Sequence, residues 1–146
     1  MAKITLSNLA HSYMKNPKNK EDYVLQPLNH EWDDGAAYAL LGPSGCGKST
    51  LLNIISGILT PSEGSILFDD KDVTFADTTN RNIAQVFQFP VVYDTMTVRE
   101  NLEFPLKNRG ANKQYIDQRV GSIARAIRVE DILDKKARGL SADAKQ

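Results

Sequence analysis

A glycine-rich segment, "GPSGCGKST" at residues 42–50, combines the residue types that hold phosphate groups. Its first eight residues match the pattern G-x-x-x-x-G-K-[ST] in full. The glycines let the backbone curl so that successive N–H groups point at one anion. The Lys48 ammonium is expected to bridge the β- and γ-phosphates of a nucleotide, and the Ser49 hydroxyl is expected to ligate Mg²⁺. The predicted binding residues are Gly42, Pro43, Ser44, Gly45, Cys46, Gly47, Lys48, Ser49 and Thr50.

Two elements must position this loop. Residues 36–42, "AAYALLG", predict a buried strand before it. Residues 48–58 have apolar side chains at the spacing of a helix that is buried on much of its surface, and "TPSEG" at 60–64 breaks that helix. Strand, loop and helix in this order are the context that the phosphate motif requires.

The flanking segments change character along the chain. Residues 3–9 alternate as a half-buried strand does, and residues 24–32 predict a second strand in which Pro27 favours an edge or a bulge. Residues 65–75 predict a hairpin that turns at an acidic cluster, and residues 83–88 predict a further strand.

Helical patterns follow Asp94. Thr97 is a predicted N-cap with Glu100 at capping-box spacing, and Pro105 is expected to kink or end that helix. From Gln114 the apolar residues recur at intervals of four, three and four, which predicts a long helix, and residues 129–133 predict a short one.

Composition limits the partners, the redox compartment and the metal sites that can be expected. Lys plus Arg and Asp plus Glu both number 18, so no strong field attracts nucleic acid. The single cysteine, Cys46, cannot form an internal disulfide, which fits a reducing cytosol. His11 and His30 have no ligand spacing and are not expected to bind a metal.

Residues 39–69 and 83–110 resemble the ATP-binding subunits of ABC transporters. The resemblance covers nearly all 146 residues, and within the family it is strongest to importers of sugars and polyols. It implies an α/β fold: a P-loop NTPase core with an N-terminal antiparallel β subdomain and a helical subdomain, lacking the C-terminal part of the core. Residues 1–93 would form the β subdomain and core, 94–139 the helical subdomain, and 140–146 the start of the signature segment.

The resemblance assigns roles to residues outside the phosphate loop. Gln88 would be the Q-loop residue that touches Mg²⁺ or the attacking water, for which an amide oxygen is suited. Tyr13 would stack on adenine. Because "MKNPKNKED" lengthens the segment after Tyr13, Tyr23 is an alternative for that role. Asp69 and Asp70 imitate the acidic end of a Walker B strand, but the family pattern places them in a solvated hairpin turn.

The last residues depart from the family signature. Ser141 would reach the γ-phosphate across a head-to-tail dimer, but Ala142 and Asp143 replace the usual glycines. A carboxylate about 4 Å from a phosphate oxygen is repelled by a few kcal/mol. Either Asp143 points away, with Lys145 offsetting its charge, or the closed dimer is weakened.

The Walker B strand, catalytic glutamate and switch histidine of the family do not follow. The chain is therefore expected to be the N-terminal part of a longer subunit, to expose unpaired edges and apolar surface, and not to hydrolyse ATP alone. The resemblance implies an ATP- and Mg²⁺-dependent importer subunit for a carbohydrate or polyol. It would act peripherally at the cytoplasmic face of the membrane, with permease subunits on its helical subdomain, as a homodimer or beside a paired ATPase subunit. The alternative is a nucleotide-binding regulatory or structural module without turnover. For a small-molecule kinase, no acceptor site or lid is recognisable.

Overall fold

A computed structural model describes residues 2–146 of the chain. These residues divide into two units. The first extends to Gln85, and the second runs from Val86 to Gln146. Within residues 2–146, no helix is both long and apolar enough to cross a membrane.

An antiparallel sheet organises the first unit. Its four strands are β1 (Ile4–His11), β2 (Leu25–Trp32), β3 (Glu63–Phe68) and β4 (Lys71–Asp72), in the order β2-β1-β3-β4. Pro27 lies in the edge strand β2, where a missing N–H does not interrupt the sheet, as the sequence predicted. The strands predicted near residues 3–9 and 24–32 and the hairpin are confirmed.

The acidic cluster forms the turn between β3 and β4. Asp69 and Asp70 have φ values of 48° and 65°, which a two-residue hairpin turn requires. The Asp69 carboxylate accepts a hydrogen bond from the Lys3 N–H at 2.9 Å. Hydrogen bonds from Thr74 lower the pKa of Asp72, whose carboxylate accepts from the Thr74 N–H at 2.8 Å. The Asp69 carboxylate thus links the turn to the residue before β1, and the Asp72 carboxylate links β4 to the residues after it, in agreement with the turn predicted there.

One helix packs against this sheet. Helix α1 (Lys48–Ser56) buries Leu51 and Ile54 against strand residues. It ends two residues before the predicted position because Gly57, at φ 81°, donates its N–H to the carbonyls of Asn53 and Ile54. Short 3-10 turns occur at Lys20–Asp22 and Thr78–Asn80. The buried cluster consists of Leu6, Leu9, Leu25, Leu51, Ile54, Ile66 and Val73.

The strands predicted at residues 36–42 and 83–88 are not formed, so that prediction is wrong. A strand exists only where its backbone groups pair with a neighbour, and no strand among residues 2–146 pairs with either segment. Their apolar side chains are exposed instead, Leu41 by 88% and Val86 by 80%. The exposed apolar surface itself agrees with the expectation from the sequence.

Helices dominate the second unit. The predicted capping box is present: Glu100 N–H donates to Thr97 Oγ1 at 3.1 Å, and Thr97 N–H donates to the Glu100 carboxylate at 2.6 Å. Pro105 does not end α2 (Val98–Asn108), which continues for three more residues. The predicted short helix at 129–133 is a 3-10 turn. The elements are α2 (Val98–Asn108), α3 (Lys113–Ala126) and α4 (Ala142–Lys145), with 3-10 turns at Glu130–Ile132 and Ala137–Gly139.

Candidate functional site

The phosphate motif forms an exposed loop that leads directly into α1. Gly47 caps the helix at φ 92°, and a Cβ there would lie 2.7 Å from the Val24 carbonyl oxygen. Only glycine therefore fits at this position. The first N–H groups of α1 have no partner within the helix and carry the positive end of its dipole. The loop and helix together present a concentration of positive partial charge to an anion.

The Lys48 side chain folds back over the loop. Its Nζ donates to the carbonyl oxygens of Gly42 at 2.7 Å and Pro43 at 2.6 Å, and lies 3.6 Å from Cys46 Sγ. Phosphate oxygens are charged and form stronger hydrogen bonds with an ammonium than neutral carbonyls do. A phosphate group in the loop would therefore compete favourably for this side chain. Ser49 is exposed at the start of α1.

Of the two tyrosines considered for base stacking, Tyr13 is the one that contacts the motif. Its hydroxyl lies 3.2 Å from Thr50 Oγ1, and the residue is 68% exposed. Tyr23 donates its hydroxyl to the Glu63 carboxylate instead, and that hydrogen bond raises the pKa of Tyr23. Tyr13 thus combines an exposed ring with a direct connection to α1.

Gln88 and Ser141 belong to the second unit. Gln88 is exposed in a bend. The Ser141 hydroxyl caps α4, where it accepts from the Ala144 N–H at 3.3 Å. Lys145 forms an ion pair with Asp94, with Nζ 2.8 Å from Oδ1. The partner of the Lys145 ammonium in this ion pair is therefore Asp94 and not Asp143.

Arg81 was not singled out by the sequence, although it holds the motif helix. Its guanidinium is buried, the residue being 5% exposed. Burial lowers the pKa of Arg81. The guanidinium donates four hydrogen bonds to backbone carbonyls, and two of the acceptors are the carbonyls of Ile54 and Ile55 near the end of α1. The acceptors are the oxygens of Ala76 (3.0 Å), Ile54 (2.9 Å), Ile55 (3.0 Å) and Thr74 (3.0 Å).

No motif marks this arginine, which stands in "TTNRNIAQ" like an ordinary loop residue. The one hint of this contact in the sequence is Gly57, because a glycine leaves the space that the guanidinium fills. A Cβ at Gly57 would lie 2.6 Å from Arg81 Nε. The close approach of a side chain to a helix-ending glycine cannot be read from either residue alone.

The loop, the lysine folded into it and the helix that follows define a P-loop protein. A family profile described as ABC transporter matches residues 25–146. The chain belongs to the ABC transporter family.

Curated relatives extend this similarity over the whole chain. The sn-glycerol-3-phosphate import ATP-binding protein UgpC of Brucella abortus (strain 2308) is 40% identical over all 146 residues, and UgpC of Ruegeria sp. (strain TM1040) is 41% identical. The chain spans 40% of the length of each of these relatives.

Solved structures agree in fold. The ATP-binding cassette MJ0796, a dimer bound to ADP and Pi in a post-hydrolysis state, superposes with a TM-score of 0.82 at 29% identity. This alignment covers 97% of the present chain and 65% of that one. CbiO1 from Clostridium perfringens, part of the ABC transporter complex cbiONQ, gives a TM-score of 0.80 at 28% identity, with 97% and 57% coverage.

Proposed function

We propose that this chain is the ATP-binding part of an ABC importer subunit, which couples ATP binding and hydrolysis to uptake of a small solute, a carbohydrate or polyol. The observation that carries the proposal is the loop at residues 42–49, with the Lys48 ammonium folded over it and α1 directly behind it. The similarity to glycerol-3-phosphate importer subunits supports a polyol derivative as the class of solute.

The ligand of this site is Mg-ATP in the proposal. Backbone N–H groups of the loop and Lys48 hold the phosphates, while the Ser49 hydroxyl ligates Mg²⁺. Thr50 bonds a nearer phosphate oxygen, and the exposed ring of Tyr13 stacks on adenine. Bound Mg²⁺ supplies charge neutralisation to the phosphates.

The second unit carries the coupling functions in the proposal. Gln88 senses Mg²⁺ or the attacking water, and Ser141 reaches the nucleotide of a second subunit in a dimer. The apolar side chains after Gln88 are exposed, Phe89 by 76% and Val91 by 77%. Exposed apolar surface of this kind supports docking of transmembrane permease subunits on residues 94–139 and the segment before them. The protein would then act at the cytoplasmic face of the membrane.

Gln88→Ala tests this assignment. We expect Mg-ATP affinity to stay within about twofold, while ATP turnover of the transporter assembled with its permease falls on the order of tenfold to a hundredfold, since a positioning group for water or metal is lost. Gln26→Ala removes an amide from an exposed position of β2, outside the proposed docking surface, and serves as the matched control. Unchanged turnover in the Gln88 variant would contradict the proposed role.

The residues at positions 141–143 favour a second function, nucleotide binding without turnover. Ser141 uses its hydroxyl to cap α4, and Asp143 introduces a carboxylate in the first turn of that helix. Phosphate release by this chain tests the second function. Steady release from Mg-ATP that Lys48→Ala abolishes would exclude the module without turnover.

A further inference from the structure

A buried histidine lies beside the tyrosine proposed to stack on the base. His11 is the last residue of β1 and is only 6% exposed. Burial lowers the pKa of His11, which favours the neutral imidazole. Within residues 2–146, no group of three or more candidate metal-ligating side chains includes it, and the sequence suggested no role for it.

Ser62 fixes the imidazole from one side. Its Oγ accepts from the Ser12 N–H at 3.1 Å, lies 3.2 Å from the Ser12 carbonyl oxygen, and lies 3.3 Å from His11 Nδ1. The three contacts are satisfied together when Ser62 donates its one proton to the Ser12 carbonyl and accepts from His11 Nδ1–H. His11 Nε2 is then the unprotonated nitrogen, and it is buried without a hydrogen-bond partner in residues 2–146.

The ring of His11 meets that of Tyr13 at a right angle. Their centroids are 4.7 Å apart and the planes are inclined by 88°, an edge arrangement that aromatic rings favour. Tyr13 is therefore held at two points, by His11 at its ring and by Thr50 at its hydroxyl. A ring that is 68% exposed is nevertheless fixed in orientation.

We propose that His11 is a positioning residue for nucleotide binding, which holds the Tyr13 ring in the plane that receives the purine base. The proposal rests on the proposed function. A free tyrosine side chain would have to be immobilised when the base binds, and that cost reduces affinity. The perpendicular contact with a buried, hydrogen-bonded imidazole already restricts the Tyr13 ring in the folded protein, so this freedom is not lost when the base binds. His11 thereby contributes to affinity for ligands that carry a base and does not contribute to affinity for phosphates alone.

Three replacements of His11 separate its ring from its hydrogen bond. His11→Leu removes both, His11→Gln keeps a hydrogen-bonding group near Ser62 without a ring, and His11→Phe keeps a ring without the bond. Dissociation constants of Mg-ATP and of Mg-tripolyphosphate, which has no base, are measured by calorimetry for each. Tyr13→Ala, alone and combined with His11→Gln, completes a double-mutant cycle.

We expect His11→Leu and His11→Gln to weaken Mg-ATP about three- to tenfold, the effect of one aromatic contact, and to leave Mg-tripolyphosphate within about twofold. His11→Phe should retain Mg-ATP affinity within about twofold. In the Tyr13→Ala background, His11→Gln should have no further effect on Mg-ATP. If His11→Leu does not fold, the comparison of the Gln and Phe variants gives the same test.

Other results overturn the proposal. Equal weakening of Mg-ATP and Mg-tripolyphosphate would show that His11 acts only on the fold. Unchanged Mg-ATP affinity in His11→Gln would show that the ring contact does not position the base. A loss of Mg-ATP affinity in His11→Phe as large as that in His11→Gln would show the same. A folded wild-type chain that binds neither ligand would overturn the proposed function itself, which distinguishes the two failures.

Discussion

Lys48→Ala is expected to weaken Mg-ATP binding by about a hundredfold or more. The ammonium is the side-chain cation that lies in the phosphate loop, and each hydrogen bond to a charged partner contributes about 1.5–3 kcal/mol. Loss of two such bonds to the β- and γ-phosphates gives this factor. The fold should be preserved, because the partners of Nζ in this structure are carbonyls of an exposed loop. Equilibrium dialysis with labelled ATP measures the effect.

The matched control is Lys71→Ala, which removes the same charge from an exposed position in β4. The affinity of this variant should equal that of the wild type, since Lys71 has no part in the proposed site and an exposed charge is screened. An affinity of Lys48→Ala within about threefold of the wild type would contradict the assignment of the loop as the phosphate site.

Arg81→Leu is expected to lower the free energy of unfolding by about 3–4 kcal/mol. The substitution leaves three backbone carbonyls without a donor, because the fourth, that of Ile54, also accepts from the Gly57 N–H, and each buried unsatisfied group costs about 1 kcal/mol or more. The Ile55 carbonyl lies near the end of α1, so the motif helix should loosen first. Arg81→Lys should lose most of the same stability, because an ammonium cannot reproduce the guanidinium fork.

Urea unfolding followed by the fluorescence of Trp32 measures this loss. Trp32 is the one tryptophan of the chain and lies in β2, so it reports on the first unit. Arg119→Leu, on the exposed face of α3, is the control and should leave this transition unchanged. A loss below about 1 kcal/mol in Arg81→Leu would show that solvent or other donors satisfy these carbonyls.

Local signals made much of the fold predictable. The Thr97–Glu100 capping box, the turn at Asp69 and Asp70, and the edge position of Pro27 each depend on residues close together in sequence, and the structure confirms all three. The phosphate loop was predictable for the same reason, because its glycine spacing and the helix that follows it are local properties of the sequence.

Non-local pairing explains the failures. Residues 36–42 have the composition of a buried strand, but a strand needs a neighbouring strand, and composition does not tell whether one is present. The position of Arg81 depends on the space left by Gly57, and the contact of His11 with Tyr13 depends on how the chain turns after β1. Such contacts arise from packing, so no pattern in the sequence indicates them.

A calorimetric titration of the folded chain with Mg-ATP shows whether the loop at residues 42–49 is a nucleotide site. Because this loop is already formed around Lys48, we expect saturable binding to a single site, competed by Mg-tripolyphosphate. Far-ultraviolet circular dichroism of the same sample establishes that the chain is folded. The absence of saturable heat in a folded chain would contradict the claim that this loop is a nucleotide site.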